Sequence, residues 1–285
     1  MPVATVDDVD LHYLDDGDGD REVVLLVPGL GATTTSFGGI VPLLVPDYRT
    51  VAVDLRGVGR SSRRRQEYTM ELWASDLVAL LDRLDIDRCH VVGSSLGGCV
   101  AQVLAATFPE RVASLVLAAS FAEVDRALEL NYRVRIGLID AVGMDSTLFG
   151  DCVRAALFGR SFLDTELGEL VSAGAVAMLR DNPPEIYTAH LRALLRFGEC
   201  DLPPAERSAW RERLARIRCP ALVLCGDEDV LTVPALSARM ARHLADATFV
   251  VQPGSGHANL VEQPEVAADH TLRFLGKVRS GAPLG

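Results

Sequence analysis

Residues 89–100 read Cys89-His90-Val91-Val92-Gly93-Ser94-Ser95-Leu96-Gly97-Gly98-Cys99-Val100. The short apolar run over 89–92 suits a buried strand, and the longer one over 96–108 suits a helix. Between them Gly93-Ser94-Ser95-Leu96-Gly97 fits G-x-S-x-G at a strand-to-helix turn. The spacing has a steric reason, because a serine held at a tight, strained turn needs neighbours that carry no Cβ atom. Ser95 fits the central position and would project from the carboxyl edge of a sheet, whereas Ser94 does not fit the pattern.

Outward from this turn, residues 5–13 alternate polar and apolar, 15–20 form an acidic turn with glycine, and 22–27 are a solid apolar run. These read as a hairpin leading into a buried strand. Further strands are predicted at 50–53, 112–118, 221–225 and 248–251, and helices at 69–84, 235–244 and 265–275. Strand, helix and strand in alternation require crossover connections, hence an α/β fold with a mostly parallel sheet and helices on both faces. Residues 121–218 contain helical stretches but no clear strand, and Pro183-Pro184 and Pro203-Pro204 interrupt them. The expected organisation is a core over 1–120 and 219–285 with a helical lid over 121–218.

The 285 residues carry a net charge of -11, and 49% of them are hydrophobic. That composition is globular, and its acidity argues against nucleic acid as a partner. No apolar run approaches the roughly 18 residues of a membrane span. The start of the chain lacks the basic and apolar stretches of a signal peptide, so the default expectation is a cytoplasmic protein. Six scattered cysteines without a C-x-x-C pair are expected to be reduced and mostly buried. No metal or cofactor is expected, and the partner is a small-molecule substrate of a monomer or homodimer.

A serine hydroxyl is a weak nucleophile and requires a base, which in turn requires an orienting group. His257, in the glycine-rich loop Pro253-Gly254-Ser255-Gly256-His257, is the preferred base over His12, His90, His190, His243 and His270. The acid should follow the penultimate strand, where Gly226-Asp227-Glu228-Asp229 lies. Asp229 is preferred because the chain must turn before a side chain can face the imidazole; Asp227 and Glu228 remain rivals. Two amides should hold the developing oxyanion: that of Leu96, after the nucleophile, and that of Leu30 in Pro28-Gly29-Leu30-Gly31. The run Ser61-Ser62-Arg63-Arg64-Arg65 reads as a solvated loop or as an attractor for an anionic substrate.

Taken together these residues resemble the α/β-hydrolase superfamily, whose order of nucleophile, acid and base is that of Ser95, Asp229 and His257. Asp54-Leu55-Arg56-Gly57-Val58-Gly59-Arg60-Ser61 is similar to its D-x-R-G-x-G-x-S loop, with Asp54 and Arg56 as loop anchors. Phe108-Pro109-Glu110-Arg111-Val112 is similar to the segment after its elbow helix, and the stretch from His257 to Pro264 to its closing segment. Gly226 to Asp229 followed by Pro234 matches its G-x-x-D…P pattern and so favours Asp229. One departure is Pro28-Gly29 where many members carry His-Gly. The chain looks most like the group containing 3-oxoadipate enol-lactonases and small-molecule carboxylesterases.

That resemblance implies a cofactor-independent serine hydrolase acting on a small ester or lactone. Alternatives are a carbon-carbon bond hydrolase or lyase on the same triad, and a non-catalytic ligand binder on the same fold. In the lid, Phe121, Leu138, Met144, Phe149, Phe158 and Met178 are candidates for an apolar lining or for ordinary packing. Arg133, Arg135, Arg154 and Arg192 are candidates for binding a substrate carboxylate, which an oxoadipate-type substrate would require, or for solvated helix faces.

Overall fold

In the computed structural model, which describes residues 2–283, eight strands form one sheet. They are β1 Val3–Val6, β2 Val9–Asp16, β3 Val23–Val27, β4 Arg49–Val53, β5 Cys89–Ser94, β6 Val112–Ala118, β7 Ala221–Gly226 and β8 Ala247–Gln252. Their spatial order is β1-β2-β4-β3-β5-β6-β7-β8. The β1–β2 and β2–β4 pairs are antiparallel, and every later pair is parallel.

The helices are α1 Val41–Leu44, α2 Met70–Arg83, α3 Leu96–Thr107, α4 Arg126–Val142, α5 Thr147–Leu157 and α6 Arg160–Leu163. They continue with α7 Glu166–Arg180, α8 Pro184–Phe197, α9 Ala209–Arg216, α10 Pro234–His243, α11 Asn259–Glu262 and α12 Pro264–Ser280. None is long and apolar enough to cross a membrane, among the described residues.

Alternation along the strands builds two cores. Leu25, Val27, Val51, Val53, Val91, Leu115, Leu117 and Val223 face Trp73 and Leu77 of α2, Val100 and Leu104 of α3 and Leu214 of α9. Val24, Leu26, Ala52, Val92, Val116, Leu222 and Leu224 face Leu44 of α1 and Phe274 and Leu275 of α12. Each such Leu or Val contributes about 1.5–3 kcal/mol by leaving water. Because both faces are covered, the central strands read as continuous apolar runs.

The N-terminal hairpin closes at Asp7 and Asp8, with Asp7 in the left-handed region (φ 45°) that Asp tolerates. Its second strand lies beside β4 and not beside the buried β3, so the acidic stretch after β2 carries the chain across the intervening strand. The six helices α4–α9 lie between β6 and β7 in the chain. The arginine run ties the core to this segment, since Arg63 pairs with Asp181 and Arg65 with Glu185, while Arg64 pairs with Asp8. These are solvated pairs, each worth about 0–1 kcal/mol.

From β3 the chain moves to β4 on one side and then to β5 on the other. The loops leaving the carboxyl ends of β3 and β5 therefore diverge and leave a crevice at the sheet edge. Those loops carry Leu30 and Ser95.

Candidate active site

Ser95 has φ 51° and ψ -114°, a conformation that costs a residue with a Cβ about 1–3 kcal/mol. Its N–H donates to the Ala118 carbonyl at 2.9 Å, and its own carbonyl accepts from the Ser120 hydroxyl at 3.0 Å, which hold the turn in place. The flanking glycines are required by close approach. A Cβ on Gly93 would stand 2.5 Å from the Gly97 carbonyl oxygen, and one on Gly97 would stand 2.1 Å from that of Val27. Gly97→Ala should therefore destabilise the fold by about 1–3 kcal/mol or more, because the obstacle is the backbone leaving β3. An unchanged melting temperature would contradict this account of the turn.

The turn delivers the serine hydroxyl to the imidazole. Ser95 Oγ lies 2.9 Å from His257 Nε2, and His257 Nδ1 lies 2.9 Å from Asp229 Oδ2. Asp229 Oδ1 accepts the N–H groups of Leu231 and Thr232, both at 2.8 Å, and Oδ2 also accepts the Thr232 hydroxyl at 2.5 Å. Burial pushes the Asp229 carboxyl up, but the nearby His257 and these donors together outweigh it and hold the group below the usual range. Asp229 thus remains a carboxylate at the bottom of the site.

The rival acids are engaged elsewhere: Asp227 accepts the Gly254 N–H, and Glu228 accepts the N–H and hydroxyl of Ser161. Of the other histidines, His12 pairs with Asp54 and His90 with Ser114, while His243 bonds the Arg239 carbonyl. His190 sits against the rings of Tyr68 and Trp73, and burial pushes it down to about 3. His270 lies on α12. Asp54 also accepts the N–H groups of Thr34 and Arg60, and Arg56 clamps Asp76 with two bonds, so both anchor their loop.

Leu96 opens α3, where the first amides have no intrahelical acceptor. A Cβ on Gly29 would lie 3.5 Å from the Ser95 Cβ, which puts the loop of Leu30 directly beside the serine. The first turn of α3 and the loop that carries Leu30 thus both border Ser95.

Two residues of the surroundings lie within quoted motifs but have no role predicted from the sequence. Thr232 stands 3.2 Å from His257 Nδ1 while donating to Asp229. Glu262 accepts the N–H of Gly256, beside His257, and that of Gly159 just before α6, and so links the histidine loop to the helical segment. Burial pushes the Glu262 carboxyl up against the pull of these amides.

Ser95 and His257 open onto a cavity of about 290 Å³. Of the lining candidates, Phe158 and Met178 reach it. Phe121, Met144 and Phe149 are buried in the core instead, and Leu138 packs partly buried against it. Tyr132, Arg135 and Tyr187 also line the cavity. Arg133 pairs with Glu129, Arg154 with Glu169, and Arg192 is exposed.

This arrangement supplies a hydroxyl, a base within reach of its proton, an ionised group behind that base, and amides beside the serine. A family model described as alpha/beta hydrolase fold matches residues 22–264. A protein provisionally named carbamate hydrolase RutD, from Caulobacter sp. (strain K31), is 30% identical over 278 residues, covering 96% of this chain and 98% of its own. The 3-oxoadipate enol-lactonase 2 of Acinetobacter baylyi is 28% identical over 275 residues, covering 96% and 95%. Among solved structures, the enol-lactonase from Burkholderia xenovorans LB400 has a TM-score of 0.84 at 26% identity, covering 96% of this chain and 100% of its own.

Proposed function

Since the chain belongs to the α/β hydrolase fold family, we propose that it is a cofactor-independent serine hydrolase that cleaves a small ester or lactone through an acyl-enzyme. The observation that carries this reading is the unbroken hydrogen-bonded line from Ser95 through His257 to Asp229 at the mouth of the cavity. Ser95 Oγ attacks the carbonyl carbon while its proton passes to His257 Nε2. Asp229 keeps the Nδ1 proton in place and offsets the charge of the imidazolium. The amides of Leu30 and Leu96 hold the oxyanion. His257 then returns the proton to the departing alkoxide, which leaves an acyl group on Ser95. A water deprotonated by His257 attacks that acyl carbon, the acid is released and Ser95 regains its proton. With a lactone, the departing oxygen stays tethered to the acyl group. The enol-lactonase names of two relatives support an ester or lactone as the bond cleaved.

The pH dependence tests the assignment. Because the Asp229 carboxyl is held below its ordinary range, it stays ionised well into the acid. The acid limb of kcat/KM for an activated ester should then carry no step from Asp229 above the ordinary carboxylate value, and kcat/KM should rise with pH as the base is freed. A flat profile would overturn His257 as base. Products decide the bond: an alcohol or a ring-opened acid supports ester or lactone cleavage, whereas an acid plus a new C–H bond would replace it with carbon-carbon cleavage.

A further inference from the structure

We infer that Arg135 on α4 binds a carboxylate of the substrate, so that the site takes small esters or lactones that are themselves anionic; this rests on the hydrolase reading above. Arg135 lines the cavity with Ser95 and His257 and is only 2% exposed. It forms no ion pair with a described residue, and its Nε and Nη2 are buried without a hydrogen-bond partner. A buried cation left without a counter-charge is strongly destabilising, and the other two buried arginines among the described residues each have one. Arg56 clamps Asp76, and Arg207, which is also buried, pairs with Glu129.

The unused edge is also the right one. In Arg49 and Arg56 of this chain, Nε and Nη2 together grip the two oxygens of Asp15 and of Asp76. Arg135 presents that same pair of donors, whose planar fork matches a carboxylate. Tyr187, on the same cavity wall, adds a buried hydroxyl beside the Arg135 guanidinium. Burial pushes the phenols of Tyr132 and Tyr187 up, so both are neutral and neither supplies a counter-charge. The remaining wall is largely apolar, with Phe158, Met178 and Leu179, and offers no carboxylate to compete.

The test compares the mono-p-nitrophenyl esters of succinate and glutarate with p-nitrophenyl pentanoate and hexanoate, in wild type and in Arg135→Met and Arg135→Lys. Wild type should favour the anionic esters in kcat/KM by about ten- to a hundredfold. Arg135→Met should erase that preference, chiefly through KM, while still cleaving the neutral esters; Arg135→Lys should keep part of it. Melting temperature gives a readout independent of turnover. Free glutarate should raise it in wild type and not in Arg135→Met, whose ligand-free form should melt higher than wild type because a lone buried charge has gone. Equal kcat/KM for anionic and neutral esters, with no shift on adding glutarate, would overturn the anchor and leave the hydrolase reading intact. Absence of turnover on all four esters, together with no phosphonate labelling of Ser95, would instead overturn the hydrolase reading, and the Arg135-dependent glutarate shift would still decide whether Arg135 binds a carboxylate.

Discussion

Ser95→Ala will lower kcat by several powers of ten and abolish labelling by a serine-directed phosphonate. The loss follows from removing the proposed nucleophile, the Oγ that lies 2.9 Å from His257 Nε2. In triads of this kind, loss of the nucleophile costs on the order of 10⁶ in kcat, and what remains comes from substrate binding and the oxyanion donors. The fold should be spared. The turn is held through the Ser95 backbone, which alanine retains, and a small side chain at the lip of a cavity leaves no void behind. Ser94 supplies the control, since it lines the same cavity and only Ser95 of the two bonds the imidazole. Ser94→Ala should keep both turnover and labelling. Labelling that survives in Ser95→Ala would assign the attack to another hydroxyl.

The elbow is legible in the sequence because its constraint is local. Gly93 and Gly97 flank the serine at positions where any Cβ would strike backbone within 2.5 Å, so the steric need is written into five consecutive residues. The central strands are legible for a similar reason: burial on both faces leaves mostly apolar residues, as in β3 and β7. His257 and Asp229 are legible as loop residues after predicted strands, although the imidazole meets a hydroxyl 162 positions away.

What depends on packing between elements is not legible in this way. Arg133 and Arg135 are two residues apart on α4, and a helix turns each residue by about 100°, so the pair points to nearly opposite sides. One reaches Glu129 and the other the cavity, a difference that composition cannot show. Phe149 and Phe158 look alike in sequence, yet one is buried in the core on α5 and the other lies just beyond its end, at the cavity. Thr232 and Glu262 act by accepting or donating across loops that only the fold brings together. The hairpin's neighbour is not legible either, because alternation fixes which face is buried but not which strand lies alongside.

Asp229→Asn should reduce kcat by about 10⁴, the scale seen when the acid of a Ser-His-Asp triad becomes an amide. The geometry here gives the reason. Asp229 Oδ1 accepts two amides, from Leu231 and Thr232, and an NH₂ group turned toward them would set donor against donor. The asparagine carbonyl must take that place, and its NH₂ then faces His257 Nδ1 and the Thr232 hydroxyl. An amide that donates to Nδ1 forces the ring proton onto Nε2, and a protonated Nε2 cannot accept the proton of Ser95. The variant should therefore fold with its side chain in place and fail in chemistry, and combining it with Ser95→Ala should cost no more than Ser95→Ala alone.

Acid stability supplies a second readout. The folded pKa of Asp229 is below the unfolded one, so its contribution is complete above the ordinary carboxylate value and is lost as pH falls through the lowered folded value. The gap in melting temperature between wild type and Asp229→Asn should narrow over that acid window. A variant that keeps wild-type turnover, or a gap that is constant with pH, would show that the carboxylate charge does not hold the imidazole.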